Sequence, residues 1–105
     1  MRFIVASLPE AVAALGSGTA PDLWSPPDAA SIQGVLWFVR LQQALDHDHA
    51  AAKADIVLDC GDRADLAIEA LRGGLRRVAL TCPDILAAKV ADIAAELGGE
   101  VLRRA

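Results

Sequence analysis

The chain has no Tyr, only two Phe and two Trp, one Met and two Cys among its 105 residues. So few aromatics fit a helix-rich α/β domain better than a β-sandwich, whose strands are rich in aromatic and β-branched residues. Two cysteines are too few for a disulfide framework and point to a reduced, cytosolic setting. There is no surplus of positive charge: ten Lys and Arg face fourteen Asp and Glu, for a formal charge of −4. That balance argues against a nucleic-acid binder, which shows a basic stripe. No apolar run approaches the roughly 20 residues of a membrane span, and nothing at the start of the chain has the layout of an export signal. What is present is aliphatic. Hydrophobic residues make up 54% of the chain, and alanine supplies 22 of them, beside fourteen Leu, eight Val and six Ile. The length suits one domain over residues 1–105.

Arg2 to Ser7 reads as a strand centred on Phe3, Ile4, Val5 and Ala6. Ser7 and Glu10 have capping-box spacing and open a helix, with Pro9 tolerated in its first turn. Gly16, Ser17 and Gly18 close that helix, and a loop is expected from about Thr19 to Trp24. Ser25-Pro26-Pro27-Asp28 reads as an N-cap followed by proline at the first helical position. One long helix is expected from there to about Asp48, apolar on every face between Val35 and Val39, with Ala50 to Ala54 as its frayed end or a linker.

The second half shows two similar β–α units. Asp55 to Cys60 and Arg77 to Cys82 read as buried strands, each followed by an amphipathic helix. Placing Cys60 on Cys82, an offset of 22, also aligns Leu58 with Leu80 and Asp62 with Asp84. Leu86, Val90, Ile93 and Leu97 form the buried stripe of the last helix, Gly98 or Gly99 ends it, and Glu100 to Arg103 forms an edge strand. The expected order is β-α-α-β-α-β-α-β, with about four mostly parallel strands joined by right-handed crossovers. A sequential strand order would be half-barrel-like, with one sheet face left for a second copy to cover. A flavodoxin-like order would cover both faces within one chain.

Ligands of open parallel sheets bind beyond the carboxyl ends of the strands. Alternation puts Ile56, Leu58 and Cys60, with Val78, Leu80 and Cys82, against the helices. Val57 and Asp59, with Ala79 and Thr81, then face the other way. Asp59 and Thr81 are therefore the candidate catalytic pair: Asp59 as acid, base or cation ligand, Thr81 as its hydrogen-bonding neighbour. Ser7, Asp62 and Asp84 are candidate ligand-binding groups on the same rim. Against this stands turn chemistry, in which Asp59 caps the following loop and Thr81 caps the last helix. The rim holds Glu10, Asp28, Asp59, Asp62, Asp65 and Asp84, while Arg2, Lys53, Arg72, Arg76 and Arg77 collect at the other end. A cation or amine is then more welcome there than an anion, although acids at helix starts also complement the dipoles.

Cys60 and Cys82, at equivalent strand ends, could lie close together, but without a Cys-x-x-Cys spacing they read as buried and inert. His47 and His49 sit two apart on a helix, where they cannot share a metal, and no further ligands complete a zinc set, so no metal site is assigned. Trp37 and Phe38, in the all-round apolar stretch, are the candidate interface residues.

Ser25-Pro26-Pro27-Asp28-Ala29-Ala30, Gly34-Val35-Leu36-Trp37-Phe38 and Val57-Leu58-Asp59-Cys60-Gly61-Asp62 together resemble a family of small bacterial α/β proteins with no assigned activity. The resemblance implies the fold and transfers no site residues or cofactor. The expectation is a non-catalytic, cytoplasmic, homodimeric binding or assembly module that engages neither nucleic acid nor membrane. The alternative is a small lyase-like or isomerase-like enzyme with a strand-end pocket around Asp59 and Thr81.

Overall fold

Ser7 opens the first helix as its spacing predicts. In the computed structural model, which describes residues 2–17 and 21–104, its Oγ accepts the Glu10 N–H at 3.4 Å. The Glu10 carboxylate in turn accepts the Ser7 hydroxyl and the Ala6 N–H, each at 3.1 Å. Strand β1 (Arg2–Ile4) precedes this helix, α1 (Leu8–Leu15). Gly18 and Thr19, part of the expected helix end and loop, lie outside the described residues.

Two expectations are corrected in the next stretch. The loop predicted up to Trp24 contains a strand, β2 (Asp22–Trp24), which is too short for the longer apolar or alternating runs that mark strands in a sequence. The long helix predicted from Pro26 is broken into α2 (Ala29–Ile32) and α3 (Val35–Asp48). Gly34 separates them at φ 98°, outside the helical region and accessible to glycine at little cost. Ser25 does not cap a helix. It lies buried at the end of β2, where its hydroxyl donates to the Pro26 carbonyl at 3.0 Å and accepts the Asp59 N–H at 2.8 Å. A 3-10 turn (Ala50–Ala52) then leads into β3 (Val57–Asp59), α4 (Ala64–Arg72), β4 (Arg77–Leu80), α5 (Asp84–Glu96) and β5 (Glu100–Arg103). Gly98, at φ 78°, is the left-handed residue just beyond α5.

Among the described residues the sheet has five strands rather than four, all parallel, in the order β1-β2-β3-β4-β5. Each crossover moves to the next strand in the same direction. A uniform crossover hand then brings every helix to one face. The side chains agree. One core unites Val5, Leu23, Ile56, Leu58, Cys60, Val78, Leu80 and Cys82 with residues of all five helices. A separate apolar group of Trp24, Val57, Ala79 and partly buried Leu102 occupies the other face and contains no helical residue. This is the half-barrel-like alternative, with one sheet face bare of helices. Among the described residues no helix is long and apolar enough to cross a membrane.

The pairing register differs from the sequence repeat. Leu58 lies opposite Val78 and Asp59 opposite Ala79, an offset of 20 rather than 22. Cys82 therefore sits one strand step, two residues, above the level of Cys60, so the two thiols are not register neighbours. The loops after the two strands match in sequence while the strands pair in a register set by packing.

Candidate functional site

Asp59 belongs to the face turned away from the helices, since it pairs with Ala79 of that face, while Thr81 lies just beyond the end of β4. Their environments are unlike. Asp59 is 2% exposed, and each of its oxygens is engaged. Oδ1 accepts the Gly61 N–H at 2.9 Å and the Asp28 N–H at 3.3 Å, and Oδ2 accepts Arg104 at 2.5 Å. The carboxylate thus ties the β2–α2 loop, the β3–α4 loop and the end of β5 to one point. Asp28 and Gly61 both adopt left-handed backbone, at φ 56° and 57°, and a Cβ on Gly61 would collide with the Asp28 carboxylate. These are the hydrogen bonds of a turn cap with a counter-ion added. Thr81 is exposed, its N–H bonds the Gly61 carbonyl at 2.8 Å, and it does not cap α5, whose N-cap position is Pro83.

The other rim residues are held separately. Ser7 is committed to the α1 cap. Asp62 is exposed, and Asp84, in the first turn of α5, pairs with Arg103 at 3.0 Å. The expected acidic rim is also corrected, because arginines reach it from the chain's last strand and from the β3–α4 loop. Arg104 meets Asp59, Arg103 meets Asp84, and Arg63 meets Asp65 at 2.8 Å. Hydrogen bonds from Arg63 pull the Asp65 carboxyl below its ordinary range. Arg103 and Arg104 continue the alternation of β5, which is the signal that could have placed them on this rim. At the opposite end, Arg76 bridges Asp46 at 2.9 Å and Asp55, beside an open cleft of about 350 Å³ that Lys53 and Ala50 also line.

Cys60 and Cys82 are free and buried. Burial, with a smaller contribution from the charges of Asp59 and Asp65, pushes the Cys60 thiol up to about 12. Among the described residues no group of three or more His, Cys, Asp or Glu side chains could hold a metal ion.

Helix α3 presents a different kind of surface. Its buried side is Val35, Phe38, Val39, Leu41, Gln42 and Leu45. Phe38 is 0% exposed and belongs to the core, which corrects its assignment as a protruding interface residue. Trp37 does protrude. It is 50% exposed, yet its Nε1–H is fixed to the Ala6 carbonyl at 2.8 Å. With Leu8, Arg40, Leu41 and Ala44 it lines an open, largely apolar groove of about 240 Å³ between α1 and α3. Leu36 beside it is 60% exposed.

Comparison of the chain with protein-family models, with curated proteins and with solved structures finds no match.

Proposed function

We propose that the chain is a non-catalytic cytosolic assembly module that associates with a second copy of itself through the α3 flank around Trp37. The observation that carries this reading is a tryptophan held rigidly by its indole N–H while half its surface lies open beside an apolar groove. Rigid, partly exposed aromatics concentrate binding energy at interfaces. Charge supports a second copy as the occupant. Arg40, Ala44 and Asp48 follow one another at four-residue spacing along one side of α3. Arg40 has no ion-pair partner among the described residues, and Asp48 meets only its neighbour His47, at 2.7 Å. Two α3 helices crossing antiparallel about Ala44 would set each Arg40 against the partner's Asp48 and oppose their dipoles favourably. The buried free thiols suit a reducing compartment, and the resemblance to small bacterial α/β proteins is retained as part of the proposal.

The test is sedimentation equilibrium on the native chain and on Trp37→Glu. The native chain should exceed the 11.0 kDa of one chain, and the variant should lose affinity by about 2 kcal/mol or more. Equal masses for the two would overturn the reading.

A further inference from the structure

We infer that the open edge of β5 pairs antiparallel with the β5 edge of a second copy of this chain, about a two-fold axis perpendicular to the sheet at Leu102, so that the two sheets become one. This goes beyond the α3 contact and uses a different surface.

An open sheet has two edges, each a row of backbone groups ready to pair, and here the two are unlike. At the β1 edge, the outward groups just beyond Ile4 are those of Ala6, and both are taken. Its N–H donates to Glu10, and its carbonyl accepts the Trp37 indole N–H. The β5 edge has no such cover. The Glu100 N–H donates to the Arg76 carbonyl at 2.8 Å and the Arg104 N–H to the Leu80 carbonyl at 3.3 Å, so the even-numbered residues bond to β4. The N–H and C=O groups of Val101 and Arg103 then point away from the sheet, without a partner among the described residues. Alongside them, between β5 and α5, runs a groove of about 220 Å³ whose helix wall is Ala87, Ala88 and Ala91. Side chains this small leave room for another strand to approach.

The strand's own sequence selects the partner and the register. A two-fold perpendicular to the sheet keeps the helices of both copies on one side, so opposed residues must share a face. Centred on Leu102, it sets Val101 against the partner's Arg103, and their outward groups exchange backbone hydrogen bonds at both symmetric positions. Leu102 meets the partner's Leu102 and carries the apolar group of Trp24, Val57 and Ala79 across the join. Glu100 meets the partner's Arg104, twice, as opposite charges directly across antiparallel strands. Both have capacity to spare. Glu100 meets Arg77 through Oε1 and Arg104 meets Asp59 through Nη1, which leaves Glu100 Oε2 and Arg104 Nη2 without a partner among the described residues. Centring the axis on Val101 instead sets Arg103 and Arg104 against Gly99 and Gly98, and no charge is met. Centring it on Arg103 sets that arginine on its own copy, and like charges repel. Charges on an edge strand discourage arbitrary pairing; these are spaced to accept their own copy.

Disulfide trapping in a Trp37→Glu background, which silences the α3 contact, tests this. Leu102→Cys places a thiol directly across from its own copy, within the Cα spacing a disulfide accepts, while Cys60 and Cys82 are buried. Under oxidised glutathione this variant should link into a dimer roughly 10-fold faster than Val101→Cys, whose two thiols stand two residues out of line and beyond bridging distance. Without oxidant, the Trp37→Glu chain should sediment at twice 11.0 kDa. Adding Glu100→Arg should weaken that association by about 10-fold, because like charges then meet twice. Circular dichroism checks that each chain is folded, and the same trapping in the native chain decides the matter if Trp37→Glu does not fold. Linking of Val101→Cys as fast as Leu102→Cys, or faster, overturns the inference. So does a folded Trp37→Glu chain at 11.0 kDa, or a folded Glu100→Arg variant that associates undiminished. Equal masses for native and Trp37→Glu chains would instead refute the α3 reading, so the two failures are distinguishable.

Discussion

Replacing Asp59 by Asn removes one negative charge and little else, and the structure sets what that should cost. The amide oxygen can still accept the Gly61 and Asp28 N–H groups that Oδ1 accepts now. The amide nitrogen would sit where Oδ2 meets Arg104, donor against donor. A charge-assisted hydrogen bond is lost and a buried donor is left unmet, together about 2 kcal/mol. Asp59→Ala also strands the two backbone N–H groups and should cost about 4 kcal/mol. Arg104→Gln should cost more than Asp59→Asn, about 3 kcal/mol, because it leaves the buried Asp59 carboxylate without its counter-ion, whereas the half-exposed Arg104 left by Asp59→Asn can turn to water. The double variant Asp59→Asn, Arg104→Gln should fall short of the sum by about 1 kcal/mol, the signature of a directly interacting pair. Urea unfolding followed by far-UV circular dichroism gives each value, and for a domain of this size the single Asp59→Asn change should lower Tm by about 10 °C. An Asp59→Asn chain as stable as the native one, or more so, would refute the structural role and return Asp59 to the list of strained functional groups. Strict additivity would refute the pairing.

Gln42 bridges α3 to the approach to β3, accepting the buried Ile56 N–H at 2.8 Å and donating to the Ala54 carbonyl at 2.8 Å. Gln42→Leu should therefore cost about 3 kcal/mol by leaving both groups unpaired, read as a lower urea midpoint. Gly34→Ala meets no atom within 4 Å but must hold φ 98°, so it should cost about 2 kcal/mol from backbone strain alone in the same assay. The Cys60 thiol is raised from its ordinary 9.0 to about 12, so the unfolded chain ionises it first. The stability it confers is complete below about pH 9 and is lost as pH rises toward 12, a slope that Cys60→Ala should flatten. In the native state at neutral pH neither Cys60 nor Cys82 should react with a maleimide on the timescale of an exposed thiol.

The residues whose local chemistry dominates were legible. Ser7 and Glu10 cap α1 because a capping box needs only four consecutive residues, and the β3–α4–β4–α5–β5 half followed from alternation and glycine stops. Apart from the helix break at Gly34, which is local, the misses are cases where a distant contact won. Ser25 has every feature of an N-cap, yet its hydroxyl is taken by Asp59, 34 residues away. Asp22 to Trp24 is a strand only because β1 and β3 flank it, and Arg2 covers Trp24. Register is a packing property, so the Cys60–Cys82 match in sequence did not survive as a match in space. The Asp59 face was read correctly from parity, while its occupant, Arg104, lies 45 residues away. Trp37 and Phe38 are adjacent on a helix that is apolar all round at this point, and Phe38 turns inward because it shares a face with Val35, Leu41, Gln42 and Leu45.

Sedimentation equilibrium of the native chain at high micromolar concentration tests the central claim most directly. Self-association predicts a mass of at least twice 11.0 kDa, reduced by Trp37→Glu. A single species at 11.0 kDa across that range would contradict it.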